Sequence, residues 1–233
     1  MAFFDMPRVP EPEVMDDSAE VEAYSSAAAH AYLDTIDDTL VEHALRLVKR
    51  RERERGRALD IGTGPGQIVI KLAKRLPEWK FTGVDRSLAM IAQAQANLAS
   101  AGGKLAGRAE FQVADGNRLP FPDGSFDLVM CNSVLHHLAE PEKLLSEMSR
   151  LVNSGGAILL RDLRRPARFA YPLHVRWHGR HYSGVMYRLY CDSVRSAYTV
   201  PELKRMLDSA ALPRAHVFEH RSTHIGLERP IAS

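Results

Sequence analysis

The sequence is poor in the features that announce a special environment or a strongly charged partner. Its two cysteines, Cys131 and Cys191, lack the paired spacing of a zinc or thiol-redox motif and are too few to staple a chain of 233 residues, so a reducing, cytoplasmic setting is expected. An excess of one charge is missing too. The 31 basic residues face 29 acidic ones, a formal net charge of +2, far from the imbalance of a nucleic-acid or membrane surface. No long uncharged apolar run occurs, and the first residues carry Asp5, Glu11, Glu13, Asp16, Asp17, Glu20 and Glu22 against Arg8 alone, the reverse of a secretory or transit peptide. A soluble protein with no membrane partner is the expectation. Internal repeats and low-complexity tracts are also absent. What is present is apolar content, 45% of residues, enough for one sizeable core with a small appended segment.

Hydrophobic spacing alternates along the chain between helical and strand-like periods, the pattern of a parallel sheet with helices on both faces. Strands are predicted over 57–61, 80–84, 109–113, 126–131 and 156–161, with helices near 67–76, 87–100 and 141–152 between them. Upstream, residues 18–50 read as helical with Leu40, Val41, Leu45 and Val48 on one face, and the mixed-sign run "KRRERERGR" reads as a solvated helix end. Thr199 and Glu202 form a capping box that opens a helix over 200–210, and two short strands near 214–220 and 223–228 follow. The expected fold is α/β: a Rossmann-like, doubly wound, mostly parallel seven-stranded sheet with an N-terminal helical segment and an insertion after the fifth strand.

Open parallel sheets bind ligands at the carboxyl ends of their strands. Here the first strand runs into "ALDIGTGPG", with Gly62, Gly64 and Gly66 behind Asp60; the second ends in "GVDRS" with Asp85; the third in "VADGN" with Asp115; the fourth in "MCNSVLHHL" with Asn132, His136 and His137; the fifth in "LLRDL" with Asp162. Any one of these is an ordinary turn or cap, but together they line one sheet edge. A dinucleotide fold would need G-x-G-x-x-G, whereas this loop is G-x-G-x-G, Gln67 stands where the third glycine belongs, and Asp60 would repel a pyrophosphate. A Walker loop is excluded because no Gly-Lys-Ser/Thr follows. An acid before the loop suits a ligand with positive charge and no phosphate, as in S-adenosylmethionine.

Four stretches in order, "LDIGTGPG", "GVDRSLAM", "ADGNRLPFPDGSFDLVMCNSVLHHL" and "LSEMSRLVNSGGAILLRD", covering about 57–162, resemble the class I S-adenosylmethionine-dependent methyltransferases, especially the small-molecule branch with the ubiquinone and menaquinone enzymes. The resemblance implies residues 1–50 as a leader and helical cap and 51–233 as the methyltransferase domain, with 163–198 as an acceptor-side lid. It implies that Gly62, Gly64 and Gly66 pack against the methionine end of the cofactor and that Asp60 orients their loop. Asp85 would take the ribose hydroxyls, Asp115 and the Gly116 amide the adenine, and Asn132 the methionine moiety. Arg86 departs from the pattern, since the family often places an apolar residue there.

Methyl transfer needs a base only where the acceptor must lose a proton. His136 and His137 are candidates, although a histidine pair entering a helix can equally bond backbone; Asp162 is a second candidate base and Tyr198 a candidate orienting group. The segment 163–198 carries Arg164, Arg165, Arg168, Arg176, Arg180, Arg188 and Arg195 against Asp192 alone, interleaved with aromatics. It reads either as a mobile lid whose Arg188 and Arg195 close on a small anionic acceptor or as an RNA patch, with the first favoured because "CNSV" lacks the prolines of nucleobase methylases. His174, His178 and His181 sit among arginines without an acid, so no metal is expected. A non-methylating S-adenosylmethionine-binding protein is the third reading, and a homodimer is left open.

Overall fold

The computed structural model describes residues 6–11, 31–49, 55–210 and 212–231. Five strands run parallel: β1 (Gly56–Ile61), β2 (Trp79–Asp85), β3 (Ala109–Val113), β4 (Phe126–Asn132) and β5 (Val152–Leu163). Then β6 (His216–His220) and β7 (His224–Arg229) form an antiparallel pair, and β7 adds antiparallel to β5. The sheet has seven strands in the order β3-β2-β1-β4-β5-β7-β6. The chain therefore builds outward from β1 in one direction and from β4 in the other, which leaves a crevice where the two halves part, at the carboxyl ends of β1 and β4.

Alternation along the strands sends Ala58, Leu128, Met130 and Leu159 to one face and Leu59, Ile61, Val129 and Leu160 to the other. The first face is covered by α1 (Ala31–Val48), α2 (Gln67–Arg75) and α3 (Leu88–Ser100); the second by α4 (Pro141–Leu151) and later α7 (Val200–Ser209). The apolar stripe expected on α1 is the buried one, with Leu40, Val41, Leu45 and Val48 all at most 3% exposed. Its polar side reaches α2, where Lys71 meets Asp34 and Asp38 at 2.7 and 2.6 Å and Arg75 meets Glu42 at 2.7 Å. The rest of the helical reading of 18–50 lies largely outside the described residues, as does most of the mixed-sign run.

Two expected boundaries move. The fifth strand starts at Val152 and not at 156, because β5 pairs with Phe126 before its register shifts and resumes at Leu128 opposite Ala157; "NSGG" reads as a turn by composition, yet the shifted strand absorbs it. The expected insertion 163–198 is largely helical: α5 (Tyr171–His178), a single turn at Gly179–His181 and α6 (Gly184–Ser196). Val175, Tyr190 and Val194 give these helices a small core of their own. The capping box forms as the spacing predicts, with the Thr199 amide donating to Glu202 Oε2 at 2.7 Å.

Candidate active site

The glycine loop after β1 is built where side chains have no room. Gly62 has φ +72°, and a Cβ there would stand 2.1 Å from Val134 Cγ2; Gly66 has φ +78°, and a Cβ there would stand 2.5 Å from the Phe111 ring. Both are thus required by backbone conformation and by packing. The bare loop lets the amide of Gly64 donate to Asp85 Oδ2 at 2.8 Å, while Ser87 donates to Oδ1 at 2.9 Å. Backbone amides of Gly64, Arg86 and Ser87 hold this carboxylate at the tip of β2, where it lines the cavity described next. Beneath the loop Asp60 is 2% exposed, and both its oxygens lack a hydrogen-bond partner among the described residues. Burial pushes its carboxyl up to about 7.

A cavity opens over these groups. Gly62, Gly64, Asp85, Arg86, Asp115, Gly116, Asn132 and His137 all line it. Gly66 and Asp60 do not; they act from below, through turn shape and electrostatics. The apolar wall absent at Arg86 is supplied by Val84, Met90 and Leu144. Asp115 is an exposed carboxylate with the Asn117 amide on Oδ1 at 3.0 Å. The donor set fits a nucleoside with a cationic tail: a pinned carboxylate for vicinal hydroxyls, apolar walls for a base, an orphaned buried acid beneath the loop, and no phosphate cradle.

A second cavity adjoins the first and shares Asn132, Ser133 and His137 with it. Ser133 holds φ 57°, a left-handed conformation uncommon for a residue with a side chain, and its amide donates to the Arg161 carbonyl at 2.9 Å. Arg161 is 1% exposed; its Nε donates to Asn132 Oδ1 at 3.0 Å and its Nη1 to Thr39 Oγ1 at 2.8 Å. The walls come from Leu33, Ile36 and Asp37 of α1, from Met186, Leu189, Tyr190 and Ser193 of α6, and from His178, Tyr182 and His224. No lysine or arginine lines it. Burial lowers His178 and takes His224 well down, and it raises Asp37 to about 6. At neutral pH a carboxyl at about 6 is mostly ionised, so Asp37 sets a negative charge on the α1 wall, and His136 lines the same chamber.

The two histidines of "LHH" part company. His136 is 2% exposed, and its Nδ1 lies 2.5 Å from Asp162 Oδ1, while Asp162 Oδ2 accepts the His136 amide at 3.1 Å. Burial pulls this imidazole down, but the Asp162 and Glu11 carboxylates outweigh it and bring it up to about 9. His136 is therefore an imidazolium that ties the 133–137 turn to β5. His137 is less buried and lines both cavities. Its Nδ1 stands 2.8 Å from Glu11 Oε1.

Glu11 arrives on a strap, residues 6–11, that crosses from the N-terminal side. Arg8 donates through Nε to the Ser196 carbonyl at 2.6 Å and through Nη2 to the His136 carbonyl at 2.8 Å, and Arg165 Nε donates to the Met6 carbonyl at 2.9 Å. Burial would raise the Glu11 carboxyl, but hydrogen bonds from His136 and His137 overcome it and lower it to about 2. Ligand atoms of Glu11, His136 and His137 lie within 4.8 Å of one another, the grouping among the described residues with metal-ligand chemistry. They are spent on mutual ion pairs, and Arg8 sets a guanidinium against the same turn, so the arrangement is read as a charge network.

The methyltransferase domain family matches residues 59–160, which spans β1 through most of β5. Over that stretch the chain is similar to the methyltransferase domain family. A demethylmenaquinone methyltransferase of Roseiflexus castenholzii is 36% identical over 48% of this chain and 44% of its own length. A ubiquinone/menaquinone biosynthesis C-methyltransferase of Geobacter sulfurreducens is 32% identical over 50% of this chain and 45% of its own. The chain spans about half the length of the curated relatives it matches. In fold it is similar to a methyltransferase from Aquifex aeolicus (TM-score 0.62, 21% identity, 82% and 89% of the two chains). It is likewise similar to a plantazolicin methyltransferase solved with S-adenosylhomocysteine (TM-score 0.72, 15% identity, 91% and 90%).

Some expected residues lie away from both cavities. Arg188 and Arg195 are exposed and line neither. Helical rotation puts Met186, Leu189, Tyr190 and Ser193 on the inner face of α6 and those two arginines on the opposite one. Asp162 and Tyr198 are buried and also line neither; Asp162 is committed to His136, and the Tyr198 ring lies under the Arg8 guanidinium at 4.3 Å. Glu11, Arg8, Arg161 and Ser133 were missing from the sequence reading. The first two read only as leader charge, and nothing in local spacing links them to a turn more than a hundred residues on.

Proposed function

We propose that the chain transfers a methyl group from S-adenosylmethionine to a small, neutral acceptor with an aromatic or otherwise apolar body. The observation that carries this reading is the pair of adjoining cavities joined through Asn132, Ser133 and His137: one suits a nucleoside with a cationic tail, the other an uncharged ring. Asp85 would hold the ribose hydroxyls, the Asp115 carboxylate and Gly116 amide the adenine, and the Gly62–Gly64 backbone the methionine end. When bound, the cofactor supplies a sulfonium-activated methyl group. The names of the quinone-biosynthesis relatives favour an acceptor of the hydroquinone or phenol kind. An anionic acceptor, the expectation from arginine content, meets no arginine or lysine in the second cavity, and the cation that lines it, His136, is already paired with Asp162 and Glu11.

In this reading His137 is the base. Glu11 accepts from Nδ1–H and so selects the tautomer whose Nε2 carries the lone pair. The acceptor hydroxyl gives its proton to His137 Nε2 as its oxygen takes the methyl group and the thioether departs; where the ring carbon takes the methyl group instead, that carbon then loses its own hydrogen as a proton and the ring regains aromaticity. Glu11 is a positioning residue; His136 and Asp162 hold the turn on which His137 stands. The apolar walls of α1 and α6 exclude water and align the reactants, the larger part of catalysis for a reaction whose leaving group is already activated. The test is methyl transfer from radiolabelled cofactor to a panel of hydroquinones and phenols beside aryl and alkyl carboxylates. Turnover of the neutral acceptors is expected; turnover confined to the acids would overturn the assignment.

A further inference from the structure

Among the described residues six large apolar side chains are substantially exposed, and three of them fall on one short stretch: Phe169 at 75%, Leu173 at 70% and Trp177 at 60%. Every fourth residue of a helix lies on one face, so α5 and the turn before it present these three side chains as a single outward stripe. The helix does not lack an inner face. Val175 is buried against Tyr190 and Val194, and His178 lines the acceptor cavity. The stripe is therefore additional to what folding requires.

Charge surrounds it. Arg168, Arg176, Arg180 and, at the start of α6, Arg188 are all exposed, and none forms an ion pair with a carboxylate among the described residues. The Arg180 guanidinium lies over the Trp177 ring at 4.5 Å. From residue 163 to residue 191 the chain contains no aspartate or glutamate. The near-zero net charge of the whole protein conceals this local excess. An exposed Trp/Phe/Leu stripe edged by arginines is the composition of a helix that lies in a lipid headgroup layer, its rings among the acyl-chain ends and its guanidinia on lipid phosphates.

We infer that the outer face of α5 docks the protein onto an anionic lipid surface, with Phe169, Leu173 and Trp177 inserted and Arg168, Arg176 and Arg180 on the headgroups. A second copy of the chain fits the same face poorly, because a two-fold contact would set these arginines against their equivalents. Nucleic acid would use the arginines and Trp177 but has no use for an exposed leucine. The position of α5 gives the docking a purpose: it walls the acceptor cavity, so a lipophilic acceptor would pass from the bilayer across about one helix diameter. The surface stands apart from acceptor identity, since vesicle binding and methyl transfer fail independently.

The experiment is vesicle flotation of the full chain with phosphatidylcholine alone and with added phosphatidylglycerol. Tryptophan emission is the second readout. Of the two tryptophans Trp79 is 1% exposed, so a blue shift on binding reports Trp177. Binding to the anionic vesicles with a blue shift is expected, weakened by salt. The double variants Phe169→Ser/Leu173→Ser and Arg176→Glu/Arg180→Glu should each reduce it by about tenfold or more, with cofactor affinity retained as proof of folding. No binding to anionic vesicles, or equal binding by wild type and both variants, overturns the proposal. So does a dimer in lipid-free solution that Phe169→Ser/Leu173→Ser abolishes, which would assign the stripe to a second copy.

Discussion

The cavity proposed for the cofactor takes its polar groups from the loops that leave β1, β2, β3 and β4, each held by the strand before it, whereas the cavity proposed for the acceptor takes its walls from α1, α6, the β6–β7 turn and the 132–137 turn that the strap at residues 6–11 holds. In the first, hydrogen bonds such as Gly64 to Asp85 join neighbouring strand ends of one rigid sheet. In the second, Arg8 to His136 and Arg161 to Thr39 join segments far apart in the chain. A site divided this way separates binding from chemistry. Damage to the acceptor half should leave the cofactor half standing, because the glycine loop and Asp85 hydrogen-bond to neither the strap nor α6, and the loop meets the strapped turn only through Gly62 against Val134.

The strongest way to break that division is at the wall the two cavities share. His137→Ala should lower kcat by about a hundred- to ten-thousand-fold, the usual worth of a positioned base, while calorimetry finds cofactor affinity changed by less than about threefold. Glu11→Gln should cost less, since His137 stays in place and loses only the carboxylate that fixes its tautomer. Cofactor binding lost in step with kcat would show that the halves are one unit.

Asp85→Ala is the complementary cut. Losing a carboxylate that backbone amides have already fixed should weaken cofactor binding by about 2–4 kcal/mol, read by calorimetry, with the melting temperature without cofactor little altered. Unchanged affinity in a folded variant would remove Asp85 from the site.

The same division explains what was legible in the sequence. Each residue proposed for the cofactor follows a strand that alternation reveals, and Gly62 and Gly66 announce themselves because no other residue survives a left-handed φ against Val134 and Phe111. The mostly parallel seven-stranded sheet and the Thr199–Glu202 box were readable for the same local reason. The acceptor half is a matter of tertiary packing. Glu11 looked like one leader acid among several, Arg161 like an ordinary strand residue, and Ser133 gave no sign of its positive φ. The arginines of 163–198 misled because composition counts charges without saying which face of a helix carries them.

A smaller effect tests the turn that joins the halves. His136 is raised from its ordinary 6.5 to about 9 by the carboxylates of Asp162 and Glu11. A histidine whose folded value lies above its unfolded value contributes stability that is fully present below about 6.5 and is lost as pH rises through about 9. Melting temperature should therefore fall across that window, and in Asp162→Asn the fall should largely vanish from a lower starting point. A wild-type profile flat from 6.5 to 9 would show that His136 is neutral and the ion pair illusory.

The smallest expected effect is the most discriminating for the acceptor. Arg188→Ala and Arg195→Ala, singly or together, should change KM for a neutral acceptor by less than about twofold. Both side chains are exposed on the face of α6 turned away from Met186, Leu189, Tyr190 and Ser193, so in the conformation described neither can reach a ligand in the cavity without rotation of the helix. Arg195 does touch the strap, but through its carbonyl, which accepts from Val9, and that bond survives loss of the side chain. A rise in KM for carboxylate acceptors alone, with kcat and cofactor affinity intact, would mean that α6 turns over to present its arginines when an anion enters. The chamber would then be the resting face of a lid and not the surface that the acceptor meets.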